Sequence, residues 1–71
     1  MTKADEMLYN EGFETFTYTR FVNSYHKDLL LYIEFDKKLH IVELVGADID
    51  KFEINLFLEN AILEKVKELG W

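Results

Sequence analysis

The 71-residue sequence has no cysteine, no proline, three glycines and a single arginine, Arg20. Without cysteine, neither disulfides nor thiolate-bound zinc can brace the fold. Two histidines are too few for an imidazole-rich metal site, so no metal and no cofactor is expected. The absence of cysteine also fits a reducing cytoplasm, the expected location. Basic residues are scarce: 8 against 14 acidic ones, for a net charge of −6. They are scattered along the chain, whereas a phosphate-tracking groove needs them clustered. Direct nucleic-acid binding is therefore not expected. Long apolar runs are also missing. The longest, Leu29 to Ile33, is far too short to span a bilayer, and Met1 to Glu6 is polar and acidic, unlike a signal peptide. No membrane partner is expected. No repeat or linker composition divides the chain, which reads as one domain, 1–71.

What the sequence does have is apolar surface. Hydrophobic residues make up 49% and aromatics 15%, enough for a folded domain rather than a disordered one. A chain of this length buries only roughly 60% of its unfolded surface. Ordering its residues costs about 1.5 kcal/mol each, nearly the whole hydrophobic gain. Apolar packing must carry the fold, and oligomerisation is the remaining route to further stability.

The order of elements reads α-β-β-β-α. Thr2 is suited to cap a helix over 3–11, with Asp5 and Glu6 favoured in its first turn and Gly12 at its end. Ala4, Met7 and Leu8 recur at helical spacing. Phe13 to Val22 is rich in strand formers. Phe16 and Tyr18 alternate with threonines, which makes them the simpler inward choice. Strands over Leu29–Phe35 and His40–Val45 follow. Asn55 caps a last helix that Gly70 closes, with Trp71 folding back after it. In that helix Leu58, Ile62, Leu63, Val66 and Leu69, with Phe57 beside them, form the apolar stripe. Glu59, Asn60, Glu64, Lys65, Lys67 and Glu68 form the wet side. The fold class is α+β: a three-stranded antiparallel meander with both helices on one face.

A register for the second hairpin pairs Phe35 with His40, Ile33 with Val42, and Leu31 with Leu44. The loop is expected to be of four residues, because two lysines suit a type I′ turn poorly. Leu31, Ile33, Phe35, Val42 and Leu44 then share the core face. Leu30, Tyr32, Glu34, Ile41, Glu43 and Val45 share the opposite face, which is mixed rather than polar. That face is the candidate interface.

Three segments resemble small proteins of phages and prophages of low-GC Gram-positive bacteria. They are the opening K-A-D-E-M-L-x-x-x-G-F (Lys3 to Phe13), the middle I-E-F-D-K-K (Ile33 to Lys38) and the ending at Ile54 to Trp71, which closes on K-E-L-G-W. The resemblance implies an accessory role inside an infected or lysogenic bacterium and supplies no catalytic residue. The chain departs from that pattern at Leu56-Phe57-Leu58, where the similar proteins are polar.

Candidate chemistry is thin. Asp48, Asp50 and Glu53 precede the last helix but lack the glycine and the closing glutamate of a calcium loop, and read as a solvated run. No Ser, Cys or Asp stands beside His26 or His40 in a catalytic pattern. Glu34 and Glu43 lie on a flat sheet that offers no glycosidase cleft. No enzyme is expected. Six Phe, four Tyr and one Trp remain. A small core cannot hide them all, so some form a half-buried rim or a contact surface. The expectation is a phage or prophage accessory protein acting by protein–protein contact, with itself as a homodimer or with a host protein. The alternative is an acidic inhibitor that imitates nucleic acid towards a host defence or nucleic-acid-binding protein.

Overall fold

Two side-chain caps start the helices. Thr2 Oγ1 accepts from the Asp5 backbone N–H at 3.2 Å, and helix α1 runs Lys3–Asn10. Asn55 Oδ1 accepts from the Leu58 N–H at 2.8 Å, and helix α2 runs Leu56–Glu68. Both are short polar acceptors satisfying amides that the first turn leaves unpaired. The helix ends are as local. Gly70, at φ 83°, donates to the Lys67 carbonyl, and the Trp71 N–H donates to Val66 at 3.1 Å. These two bonds make a Schellman motif, which needs the left-handed residue that glycine supplies. The Trp71 ring then packs back, stacked on His40 at 5.0 Å and tilted towards Phe35 at 6.4 Å.

The structure, a computed structural model, describes residues 1–23, 31–46 and 53–71. Among the described residues, four strands rather than the expected three lie between the helices: β1 Phe13–Thr15, β2 Arg20–Asn23, β3 Tyr32–Asp36 and β4 Ile41–Val45. They form one antiparallel sheet in the order β1-β2-β3-β4. The single strand expected over 13–22 is a hairpin. The chain turns at residues 16–19, where Phe16 and Thr17 N–H groups both donate to the Arg20 carbonyl. A straight strand would set Phe13 and Phe21 against Phe16 and Tyr18 on opposite faces. Folding it back resolves that conflict. Phe13 and Phe21 go inward and are fully buried, while Phe16 and Tyr18 are 68% and 58% exposed in the turn.

The second hairpin keeps the expected faces but not the expected register. Ile33 pairs with Leu44, Phe35 with Val42 and Asp36 with Ile41, so every pair is offset by two residues. The loop is the four residues Lys37 to His40. Asp36 Oδ1 holds it by accepting from the Lys38 and Leu39 N–H groups at 2.9 and 3.0 Å. His40 takes φ 54°, a conformation uncommon for a residue with a Cβ. An even offset preserves which side chains share a face.

One core results. Leu8 of α1, Leu58 and Ala61 of α2, and Phe13, Phe21, Leu31, Ile33 and Phe35 from the sheet side form a single buried cluster, edged by Met7, Leu44, Ile62, Val66, Leu69 and Trp71. Phe21 and Phe35 meet edge to face at 5.7 Å. Besides Phe16 and Tyr18, three residues expected in the core are outside it. Val42, on the edge strand, is 36% exposed, and Leu63 and Phe57 of α2 point to solvent. Ala61 is buried in their place.

The larger correction is Lys65, expected on the wet side of α2 and only 1% exposed. Its ammonium donates to Asp5 Oδ1 at 3.0 Å and to Glu68 Oε2. It also lies 4.7 Å from the Tyr18 ring centroid and 5.3 Å from that of Phe21. Burial disfavours its charge, but the hydrogen bonds to Glu68 and Asp5 and the attraction of both carboxylates outweigh it, so its pKa is raised. Glu68 is correspondingly lowered, through its hydrogen bonds with Lys65 and then Thr2.

Lys65→Ala should cost about 3 kcal/mol, the low end for breaking a buried ion pair, because both carboxylates retain some access to water. Exposed Lys67→Ala should stay within about 0.5 kcal/mol. Urea titration of both variants checks this. A loss at Lys65 no larger than at Lys67 would refute the structural role.

The pH dependence has a defined sign. Lys65 has its raised pKa only when folded, so its contribution is complete below the unfolded value of about 10.4 and is lost as pH rises through the folded one. Glu68 is lowered when folded, so its contribution is complete above about 4.3 and is lost as pH falls through the folded value. Stability should therefore decline beyond both limits, and the alkaline decline should be smaller in Lys65→Met. Denaturant titrations across pH, wild type against variant, read the difference.

Candidate functional site

Alternation along the strands sets the candidate site. With Ile33, Phe35 and Leu44 in the core, Tyr32, Glu34, Glu43 and Val45 must emerge on the other side of the sheet. Ile41, paired with Asp36, emerges there too. Five of the six residues expected at an interface therefore share this outer face. The sixth, Leu30, lies outside the described residues, as do His26, Asp48 and Asp50. Ile41 and Glu43 are exposed, and Tyr32, Glu34 and Val45 are half-buried.

The observed register changes how these residues are arranged. The expected pairing set Glu34 opposite Ile41 and Glu43 opposite Tyr32, a mixed checkerboard. In the structure Tyr32 pairs with Val45, and Glu34 pairs with Glu43. On the other side Val22 pairs with Tyr32, Glu14 with Val22, and Arg20 with Glu34. The face thus sorts into rows that cross the strands. One runs Glu14, Val22, Tyr32, Val45, with an apolar centre. The next runs Arg20, Glu34, Glu43. Ile41 stands in a third row, beside Asp36, away from the apolar centre.

Sequence reasoning missed Glu14, Arg20 and Val22, because their place depends on the unrecognised first hairpin. Arg20 binds the two rows together. Its Nε and Nη2 each reach a Glu34 carboxylate oxygen at 3.4 Å, and its guanidinium carbon lies 4.4 Å from the Tyr32 ring centroid. These bonds are long for a bidentate pair, and the cation–π contact adds to them. Glu43 faces Glu34 directly and has no ion-pair partner among the described residues. Like charges opposite one another destabilise a sheet. Against the apolar row lies an open groove of about 380 Å³, lined by Glu14, Thr15, Phe16, Arg20, Val22 and Tyr32.

A second apolar surface, not expected from the sequence, is the outside of α2. Leu56 and Leu63, seven residues apart, lie on the side of α2 turned from the core, with Phe57 and Ile54 nearby, and all four are exposed. Leu56-Phe57-Leu58 is the apolar run that opens α2. Only Leu58 of the three is buried.

Among the described residues, no group of three or more His, Cys, Asp or Glu side chains could hold a metal ion, and no helix is long and apolar enough to cross a membrane. The groove presents one carboxylate, one guanidinium, hydroxyl groups and apolar side chains.

Removing one member of the opposed carboxylate pair tests the electrostatics. Glu43→Gln should stabilise the protein by about 0.2–1 kcal/mol by relieving the contact with Glu34. Arg20→Gln should destabilise it, since Glu34 then faces Glu43 without its partner. Thermal melts at low salt read both signs, and a destabilised Glu43→Gln would contradict the pairing.

No family model, curated protein or solved structure matches the chain, so its site is read from its own residues.

Proposed function

We propose that this protein is a non-enzymatic phage or prophage accessory protein that works by protein–protein contact through the outer sheet face. The observation that carries the proposal is the apolar row Val22, Tyr32, Val45, set beside the groove and left uncovered by either helix. Contiguous apolar surface on a small domain marks a contact site, and an aromatic residue at its centre is a common anchor. The three segments similar to phage proteins support the setting, a bacterial cytoplasm. The partner is a second copy of the chain or a host protein.

The alternative, a nucleic-acid mimic, requires carboxylates in a row at phosphate-like spacing. Here a guanidinium stands in the acidic row and an apolar row lies next to it. Both favour packing against a protein surface over imitation of a phosphate backbone.

A photo-crosslinking residue introduced at Val22 tests the proposal in bacterial cells. It should give a discrete crosslinked species that Tyr32→Glu abolishes while the far-UV circular dichroism stays unchanged. The same residue at Phe57 should give none. Crosslinking from Phe57 alone would move the contact surface to α2 and refute the sheet face.

A further inference from the structure

We infer that the outer sheet face binds an extended, basic protein segment of the form cation-x-apolar-x-cation. This rests on the proposed contact role of that face and names the chemistry of its occupant.

The inference comes from the charges left over once the face has paired its own. Arg20 is engaged by Glu34 and by the Tyr32 ring. Asp36 is engaged by the amides of the turn. Glu14 and Glu43 have no ion-pair partner among the described residues, and both are exposed. They stand on the two edge strands, β1 and β4, one row apart: Glu14 heads the apolar row and Glu43 ends the neighbouring row of Arg20 and Glu34. Three inter-strand spacings of about 4.8 Å and one two-residue step of about 6.8 Å along the strand separate them, roughly 16 Å on the diagonal, a span that two lysine side chains on an extended segment can bridge. An extended chain advances about 3.4 Å per residue, so residues i and i+4 lie roughly 14 Å apart and point the same way. Residue i+2 points with them, midway. Two cations at i and i+4 would then meet Glu14 and Glu43, while an apolar side chain at i+2 enters beside Val22 and Tyr32.

Charge also argues against a second copy on this face. Glu14, Glu34, Asp36 and Glu43 against Arg20 give a net −3. A facing copy would bring the same sign to meet it, which disfavours association. A basic segment reverses that sign and relieves the Glu34–Glu43 opposition.

The test titrates the ¹⁵N-labelled full chain with a capped peptide containing Lys-Thr-Leu-Thr-Lys. Two further peptides replace Leu by Ser, or both Lys by Glu. The first peptide should shift amides at Val22, Tyr32 and Glu43 in a saturable, salt-sensitive manner. Loss of the Leu should weaken binding by about tenfold or more. Glu14→Gln and Glu43→Gln should each weaken it about two- to fivefold. The inference is overturned by no binding at millimolar peptide, by equal binding of the Glu peptide, by shifts centred on α2, or by indifference to both Gln variants. Sedimentation of the free protein separates this from the reading beneath it. A dimer dissociated by Tyr32→Glu would keep the face as a contact surface and overturn the basic occupant. Shifts confined to Leu56, Phe57 and Leu63 would overturn both.

Discussion

A lysine ammonium withdrawn from water must find its compensation within the protein, and Lys65 finds it in four separate places. Asp5 comes from α1, Glu68 from its own helix, Tyr18 from the first turn and Phe21 from β2. The three from outside the helix fix α1, the first turn and β2 relative to α2. The first turn of α1 is thereby held against the last turns of α2, where a cation is also favoured by the helix dipole. In a domain without disulfides this polar knot complements a core of eight clustered residues among those described. It specifies one arrangement of the helices, where apolar contacts alone would tolerate several.

How much of this was legible depended on how local each signal was. Helix ends were readable because capping is settled within a few residues: Thr2, Gly12, Asn55 and Gly70 each perform the expected job. Strand faces in 31–45 were readable because alternation survives any even shift of register. The register itself was not, because Asp36 holds the turn through its side chain one residue later than expected, which shifts every pair by two. The first hairpin was invisible for a related reason. Its turn, residues 16–19, contains no Gly, Asn or Pro, and threonine-aromatic alternation imitates a straight strand. Lys65 was hidden more deeply. Nothing near it in sequence distinguishes it from Lys67, and what selects it is Asp5, sixty residues away.

The candidate site inherited both the strength and the weakness of that reading. Parity along β3 and β4 grouped Tyr32, Glu34, Ile41, Glu43 and Val45 correctly on one face. It could not supply Glu14, Arg20 and Val22, which reach that face only through the first hairpin. Nor could it show that a two-residue offset gathers apolar with apolar and acid with acid. Rows across a sheet depend on register, whereas faces depend on parity alone. The row arrangement of this surface therefore lies in the part of the fold that sequence pattern encodes least directly.

The seat of Trp71 has a practical corollary. It is the only tryptophan, and it rests on His40 and near Phe35, against the core side of the sheet. Its fluorescence therefore gauges whether the end of α2 is seated on the β3–β4 turn. A ligand on the outer face would leave that emission nearly silent, whereas loosening of the helix layer would move it. Binding and unfolding thus report through separate channels: the first through backbone amides of Val22 and Tyr32, the second through one indole.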